Sequence, residues 1–164
     1  MTVIASSVAD VVASVGGLLF DRRMAGWTVD VLLADRSGER ALQILGATTL
    51  DLDGDFETIS SDPERAATLA VAADIYAADE RVREEFSLTL DHGLAEVAVW
   101  GDTGQVEQDI DSVCYRLSGA ARVFKAQALM AAGIPADSVE ATETLFRGGV
   151  TTCPSLEPDL VPVG

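Results

Sequence analysis

The order of apolar runs near the start of the chain predicts an α/β fold, a Rossmann-like three-layer sandwich with a mostly parallel sheet. Three observations carry this expectation. Residues 3–55 read as strand, helix, strand, helix, strand. The strands are short apolar runs of the kind buried on both faces. The first two end in polar turns whose serines can cap the helices that follow.

Residues 2–5 form a β-branched run suited to a buried first strand. Ser6 or Ser7 then caps a helix whose apolar positions Val8, Val11, Val12, Val15, Leu19 and Phe20 recur at helical spacing. Gly16-Gly17 inside this helix costs about 1 kcal/mol per Gly relative to Ala, so close packing against the sheet or a ligand must compensate. Met24-Ala25-Gly26 ends the helix. Residues 27–34 read as a second strand, 38–45 as a short helix stopped by Gly46, and 48–52 as a third strand leading to an acidic tip, Asp53-Gly54-Asp55.

Asp62-Pro63-Glu64 opens a helical region expected to run to about residue 90, interrupted near Ala78-Asp79. Residues 95–100 form a fourth strand and 101–108 a polar loop. Residues 117–132 read as a helix with Leu117, Ala121, Phe124, Ala128 and Ala131 on one stripe, and 137–146 as a last short helix. The sequence is thus read as a single domain over residues 1–147, followed by an extended or disordered tail over 148–164 that carries Pro154, Pro158 and Pro162.

A chain of 164 residues buries roughly 70% of its unfolded surface, enough for one packed core. Apolar residues make up 48% and charged residues 23%, far from the composition of a disordered chain. The formal net charge of -16 repels phosphate backbones and anionic headgroups, which argues against nucleic acid and membrane surfaces as partners. Among the eleven basic residues the only lysine is Lys125. The Arg-, Ala- and Val-rich composition suggests an actinobacterial source. Cys114 and Cys153 form no CxxC pair, and reduced thiols are the default at this size. With no signal-type or membrane-spanning run, the expected protein is soluble and cytoplasmic.

In an open α/β sheet, ligands bind outside the carboxyl ends of the strands. Ser6, Ser7, Asp10, Asp35, Arg36, Asp53 and Asp102 all follow predicted strands and are the candidate ligand-binding residues. Their acidic balance favours a neutral or cationic polar ligand, such as a sugar or an amine, over a phosphate. Asp51, Asp53 and Asp55 alternate, and an extended backbone would aim all three to one side. The calcium-loop pattern fails, because Phe56 stands at its Gly position and Asp62 at its Glu position. The dinucleotide fingerprint and the phosphate-binding loop are both absent. The serines have neither a Gly-x-Ser-x-Gly elbow nor a suitable His.

Several of these segments resemble the opening of the LmbE-like, PIG-L-type deacetylases. They are Val3-Ile4-Ala5, Gly16-Gly17-Leu18, Ala25-Gly26-Trp27-Thr28-Val29, Leu32-Leu33-Ala34, the helix from Ala41 to Ala47, and Leu52-Asp53-Gly54. They cover about a third of the chain. The family's zinc site is built on a His-Pro-Asp-Asp-Glu stretch, which aligns with Ser7-Val8-Ala9-Asp10-Val11. Only Asp10 matches. Ser7 stands at a zinc-binding His, and Ala9 at the carboxylate that acts as general base. A catalytic zinc takes three protein ligands and an open position, which Asp10 alone cannot supply. His92, the one His, is read as the end of a helix.

The resemblance therefore implies a degenerate member, a pseudoenzyme without catalytic residues, resident metal or cofactor. It would serve as a small-molecule binding or protein interaction module, with a small polar ligand, a protein partner or a second copy as its partner. The alternatives are a divalent-metal-dependent hydrolase or transferase using Asp10, Asp35 and Asp53 at the strand ends, and a structural oligomer subunit.

Overall fold

The computed structural model describes residues 1–60, 68–93, 95–106, 109–137, 139–148 and 160–162. Five strands form the parallel half of the sheet: β1 (Thr2–Ser7), β2 (Asp30–Asp35), β3 (Thr48–Asp51), β4 (Thr68–Ala72) and β5 (Glu96–Trp100). Three more, β6 (Asp111–Arg116), β7 (Thr142–Gly148) and β8 (Leu160–Pro162), pair antiparallel. The order across the sheet is β3-β2-β1-β4-β5-β7-β6-β8. The chain builds outward from β1 to β3 and then returns to place β4 on the other side of β1. This reversal makes the β1/β4 boundary a topological switch point, where the loops diverge and leave a crevice.

Helices α1 (Val8–Met24), α2 (Arg40–Ile44) and α6 (Gly119–Ala131) contact one another. A second group, α3 (Leu52–Ser60), α4 (Ala73–Ala78) and α5 (Glu80–Asp91), contacts β1 to β5. The two groups are the outer layers of the sandwich. Val3, Val31, Leu33, Val71, Val97 and Val99 are fully enclosed between them, which is why these strands read as continuous apolar runs.

Helix α1 is buried on nearly every side. Ser7 caps it, accepting from the Asp10 N–H at 3.4 Å. A Cβ at Gly17 would lie 2.3 Å from Leu117 Cδ2, and one at Gly16 would lie 3.3 Å from Leu45 Cδ1. The glycine pair is therefore a packing device that admits Leu117 against the helix backbone. The gain in close packing offsets its poor helix propensity.

Four expectations need correction. The helical region expected over 62–90 contains strand β4 at Thr68–Ala72, wholly buried, before α4 and α5 begin; residues 61–67 lie outside the described set. A buried Ala- and Val-rich run has no period that separates strand from helix. The helix expected over 137–146 is strand β7, whose residues 142–145 alternate exposed and buried, with Glu143 on the inner face. An inward acid broke the apolar alternation that marks a half-buried strand.

Asp53-Gly54-Asp55 is the first turn of α3, not an extended tip. Asp51 Oδ1 accepts from the Gly54 N–H at 2.8 Å and Asp55 Oδ2 accepts from the Asp51 N–H at 2.9 Å, a reciprocal cap in place of three aligned ligands. Helix α6 is also turned from its expected stripe. Ala121, Lys125, Ala128 and Leu129 are buried, whereas Phe124 is 42% exposed and stacks on Phe20 at 4.5 Å. Lys125 faces inward because Glu143 waits there. In the 148–164 tail, Leu160–Pro162 adds an edge strand to β6.

Candidate functional site

At the switch point, β1 and β4 end side by side, and β5 ends next to β4. Asp10 projects from the first turn of α1 and Trp100 closes β5. The Trp100 indole, 1% exposed, donates from Nε1 to Asp10 Oδ2 at 2.8 Å. Ser14, one turn further along α1, donates from Oγ to Asp10 Oδ1 at 3.1 Å. Both carboxylate oxygens of Asp10 are thus held in place, and a buried indole N–H finds its acceptor.

In front of this pair lies a cavity of about 460 Å³, within the size range of small-molecule sites. Asp10, Asp74 and Asp102 line it. Its floor and walls are small: Ala72, Ala73 and Gly101 bring backbone close to the space. Gly101 has φ +97°, a conformation that L side chains rarely adopt. Asp74 Oδ1 accepts from the Ile75 N–H at 2.7 Å and Asp102 Oδ1 from the Gly104 N–H at 3.1 Å, which leaves lone pairs on both carboxylates for a ligand.

The structure brings two of the sequence-predicted residues, Asp10 and Asp102, to this cavity. Ser6 is half-buried at the end of β1 and Ser7 is committed to the α1 cap. The others lie at or just past the ends of β2 and β3 and are engaged elsewhere, Asp35 and Arg36 locally and Asp53 with Arg81 of α5. Asp35 accepts from the Ser37 N–H at 2.8 Å, and this turn holds its carboxyl below the ordinary value. Arg36 pairs with Glu39 at 2.6 Å and holds that carboxyl low as well. Asp53 pairs with Arg81 at 2.8 Å.

Asp74 and Trp100 were missed. Asp74 follows a strand that reads as helix in sequence, so nothing placed it at a strand end. Trp100 carried a usable signal, because an indole at the end of a buried strand requires an acceptor nearby.

The resemblance implies a zinc at this edge, and the donor set does not fit one. Asp10 is the one carboxylate among the aligned positions Ser7 to Val11, and the Ser7 hydroxyl is committed to the helix cap. No group of three or more His, Cys, Asp or Glu side chains among the described residues is arranged to hold a metal ion. His92 ends α5 just before β5, at the opposite edge of the sheet, with Nδ1 2.9 Å from the Leu88 carbonyl.

These features define a Rossmann-like α/β domain with a switch-point crevice. Its fold is that of the LmbE-like, PIG-L-type deacetylases. A deacetylase in complex with teicoplanin superposes with a TM-score of 0.60 at 14% identity, over 91% of this chain and 98% of that chain. The A40926 pseudoaglycone deacetylase Dbv21 gives 0.58 at 16% identity, over 88% and 95%. The zinc-inhibited form of teicoplanin deacetylase Orf2 gives 0.57 at 13%, over 90% and 97%. No protein-family model and no curated relative matches the chain by sequence.

Proposed function

We propose that this protein is a non-catalytic domain on the deacetylase scaffold that binds a small polar ligand, with a cationic group seated among Asp10, Asp74 and Asp102. The observation that carries this reading is Asp10. It occupies the one matching position of the zinc motif, and its oxygens serve as acceptors for Trp100 and Ser14 at the wall of a 460 Å³ cavity. Three carboxylates around one cavity favour an ammonium over a phosphate or carboxylate. An α/β scaffold does not retain an activity once its reacting groups are gone.

The test is hydrolysis of an N-acetylglucosaminyl substrate by purified protein with added zinc, read as released acetate. No release above a protein-free control is expected. Zinc-dependent release abolished by Asp10→Ala would overturn the reading.

A second reading, a protein-docking role, is favoured by α6. Residues 117–136 contain no Asp or Glu in a chain of net charge -16. Val123 and Met130 on this helix are 60% and 58% exposed. Light scattering of purified protein distinguishes a monomer from an assembly that uses this face.

A further inference from the structure

A second cavity, about 400 Å³, lies on the other side of Trp100 and Gly101, between α1, α6 and β7. At its floor is the only lysine of the chain. Lys125 Nζ donates to Glu143 Oε1 at 2.6 Å and to the Ala13 carbonyl at 2.6 Å. Glu143 Oε1 also accepts from the Gly17 N–H at 2.8 Å, and Oε2 from the Leu18 N–H at 2.9 Å. In a regular helix the Gly17 N–H turns to the Ala13 carbonyl. Here both groups of that step are engaged by the ion pair.

The two partners differ in what they have left to offer. Glu143 already accepts from three donors and its side chain is 2% exposed. Lys125 is 7% exposed and lines the cavity, and its ammonium carries three N–H groups. Two acceptors serve them among the described residues, so one donor is left for the cleft. Glu143 neutralises the lysine charge at close range, and Glu140 lines the same space. A carboxylate or phosphate entering there meets no net attraction, whereas a hydroxyl or carbonyl oxygen gains a charge-assisted hydrogen bond.

The two cavities share Trp100 and Gly101. Ser14 lines one and donates at 3.1 Å to Asp10, which lines the other. The partition between them is one hydrogen-bonded unit.

We propose that the Lys125 cleft is a second binding compartment for an uncharged hydroxyl- or carbonyl-bearing group, and that one ligand spans it and the strand-end cavity, ammonium toward the aspartates and neutral oxygens toward Lys125. The spanning ligand rests on the strand-end reading above; the compartment itself does not. A single lysine makes the test direct, because protein labelled with 13C at the lysine ε carbon gives one Lys125 signal.

The probes are glucosamine, glucose and glucuronate, one ring skeleton in three charge states, titrated to about 100 mM. The Lys125 signal shifts saturably with glucosamine and glucose and stays unmoved with glucuronate. Asp74→Asn weakens glucosamine about tenfold and leaves glucose unchanged. Thr142→Phe, which fills the cleft from an exposed position, removes the Lys125 response while the amide spectrum of the fold is retained.

A Lys125 signal indifferent to all three probes overturns the compartment. If glucosamine then still shifts the Gly104 amide in the first cavity, the strand-end reading survives alone. A Lys125 response to glucose, with no effect of Asp74→Asn on glucosamine, keeps the compartment and overturns the spanning ligand.

Discussion

The parallel and antiparallel halves of the sheet hold the same helix by different means. Strand β1 meets α1 through apolar surface, with Val8, Val11, Val12 and Val15 at most 1% exposed, and the parallel half adds a single side-chain bond among the described residues, from Trp100 of β5 to Asp10. The antiparallel half and its following turn reach α1 through directed polar contacts. Glu143 of β7 binds the Gly17 and Leu18 amides, Tyr115 of β6 donates to Asp21 at 3.1 Å, and Ser118 donates to Asp21 from its hydroxyl at 2.6 Å and its amide at 3.0 Å. Apolar burial is non-directional and sets stability, whereas these bonds fix where α1 lies along the sheet. Because α1 carries Asp10 and Ser14, its placement sets the geometry of both cavities.

The largest effect is expected at Glu143. Glu143→Ala leaves Lys125 charged, buried and unpaired, and is expected to cost about 3–5 kcal/mol in urea unfolding. The double change Lys125→Met with Glu143→Leu costs less than the single one, since no ion is then stranded. Recovery in the double variant is the signature of the pair; equal losses would contradict it.

Burial pushes the Glu143 carboxyl up, against the opposing pull of Lys125 and the two amides. A carboxyl raised in the folded state stabilises fully below its ordinary value of 4.5 and progressively less as pH climbs through the raised value. Asp79, capping α5, runs the other way. Its hydrogen bond from Arg81 holds it low, so its contribution is present above 3.8 and is lost as pH falls through the folded value. Urea midpoints measured across pH are expected to flatten on the alkaline side in Glu143→Gln and on the acid side in Asp79→Asn.

Next in size is Gly17→Ala, whose added methyl meets Leu117 at 2.3 Å and costs about 1–3 kcal/mol. Gly16→Ala, facing Leu45 at 3.3 Å, is near neutral because a helix-propensity gain of about 1 kcal/mol offsets the tighter contact. Thermal denaturation of the two variants should separate them clearly; equal midpoints would refute the packing role of Gly17.

In the parallel half, Trp100→Phe removes the indole donor to Asp10 and costs about 1–3 kcal/mol by leaving that carboxylate short of a partner. Smallest is Asp53→Asn. Its ion pair with Arg81 sits on an 88% exposed side chain and is worth under about 1 kcal/mol. A loss at Asp53 as large as that at Trp100 would show that the β2/β3 flank matters more than its exposure implies.

Most of the parallel half was legible because local pattern and tertiary environment agree there. The first three strands were legible, the cap was narrowed to Ser6 or Ser7, and the glycine pair signalled a close approach whose partners, Leu117 and Leu45, only the structure identifies. Strand β4 was hidden because an Ala- and Val-rich buried run satisfies helix and strand alike. With it went Asp74, so the sequence placed only part of the acidic cavity. Strand β7 was hidden for another reason. Glu143 on its inner face is sensible only with Lys125 and two helix amides present, and these lie 18, 126 and 125 residues away.

The sequence by itself determined the α/β class, a serine cap and a glycine pair for the first helix, the acidic net charge, and a resemblance in which Asp10 alone aligns with the deacetylases' zinc-site stretch. These follow from residue type and short-range spacing. The tertiary structure alone decided that Asp10 is bound by Trp100, ninety residues away, and that Lys125 turns inward to Glu143. A buried charge or indole N–H is tolerated only where folding supplies its partner, and spacing along the chain does not reveal which residue that will be.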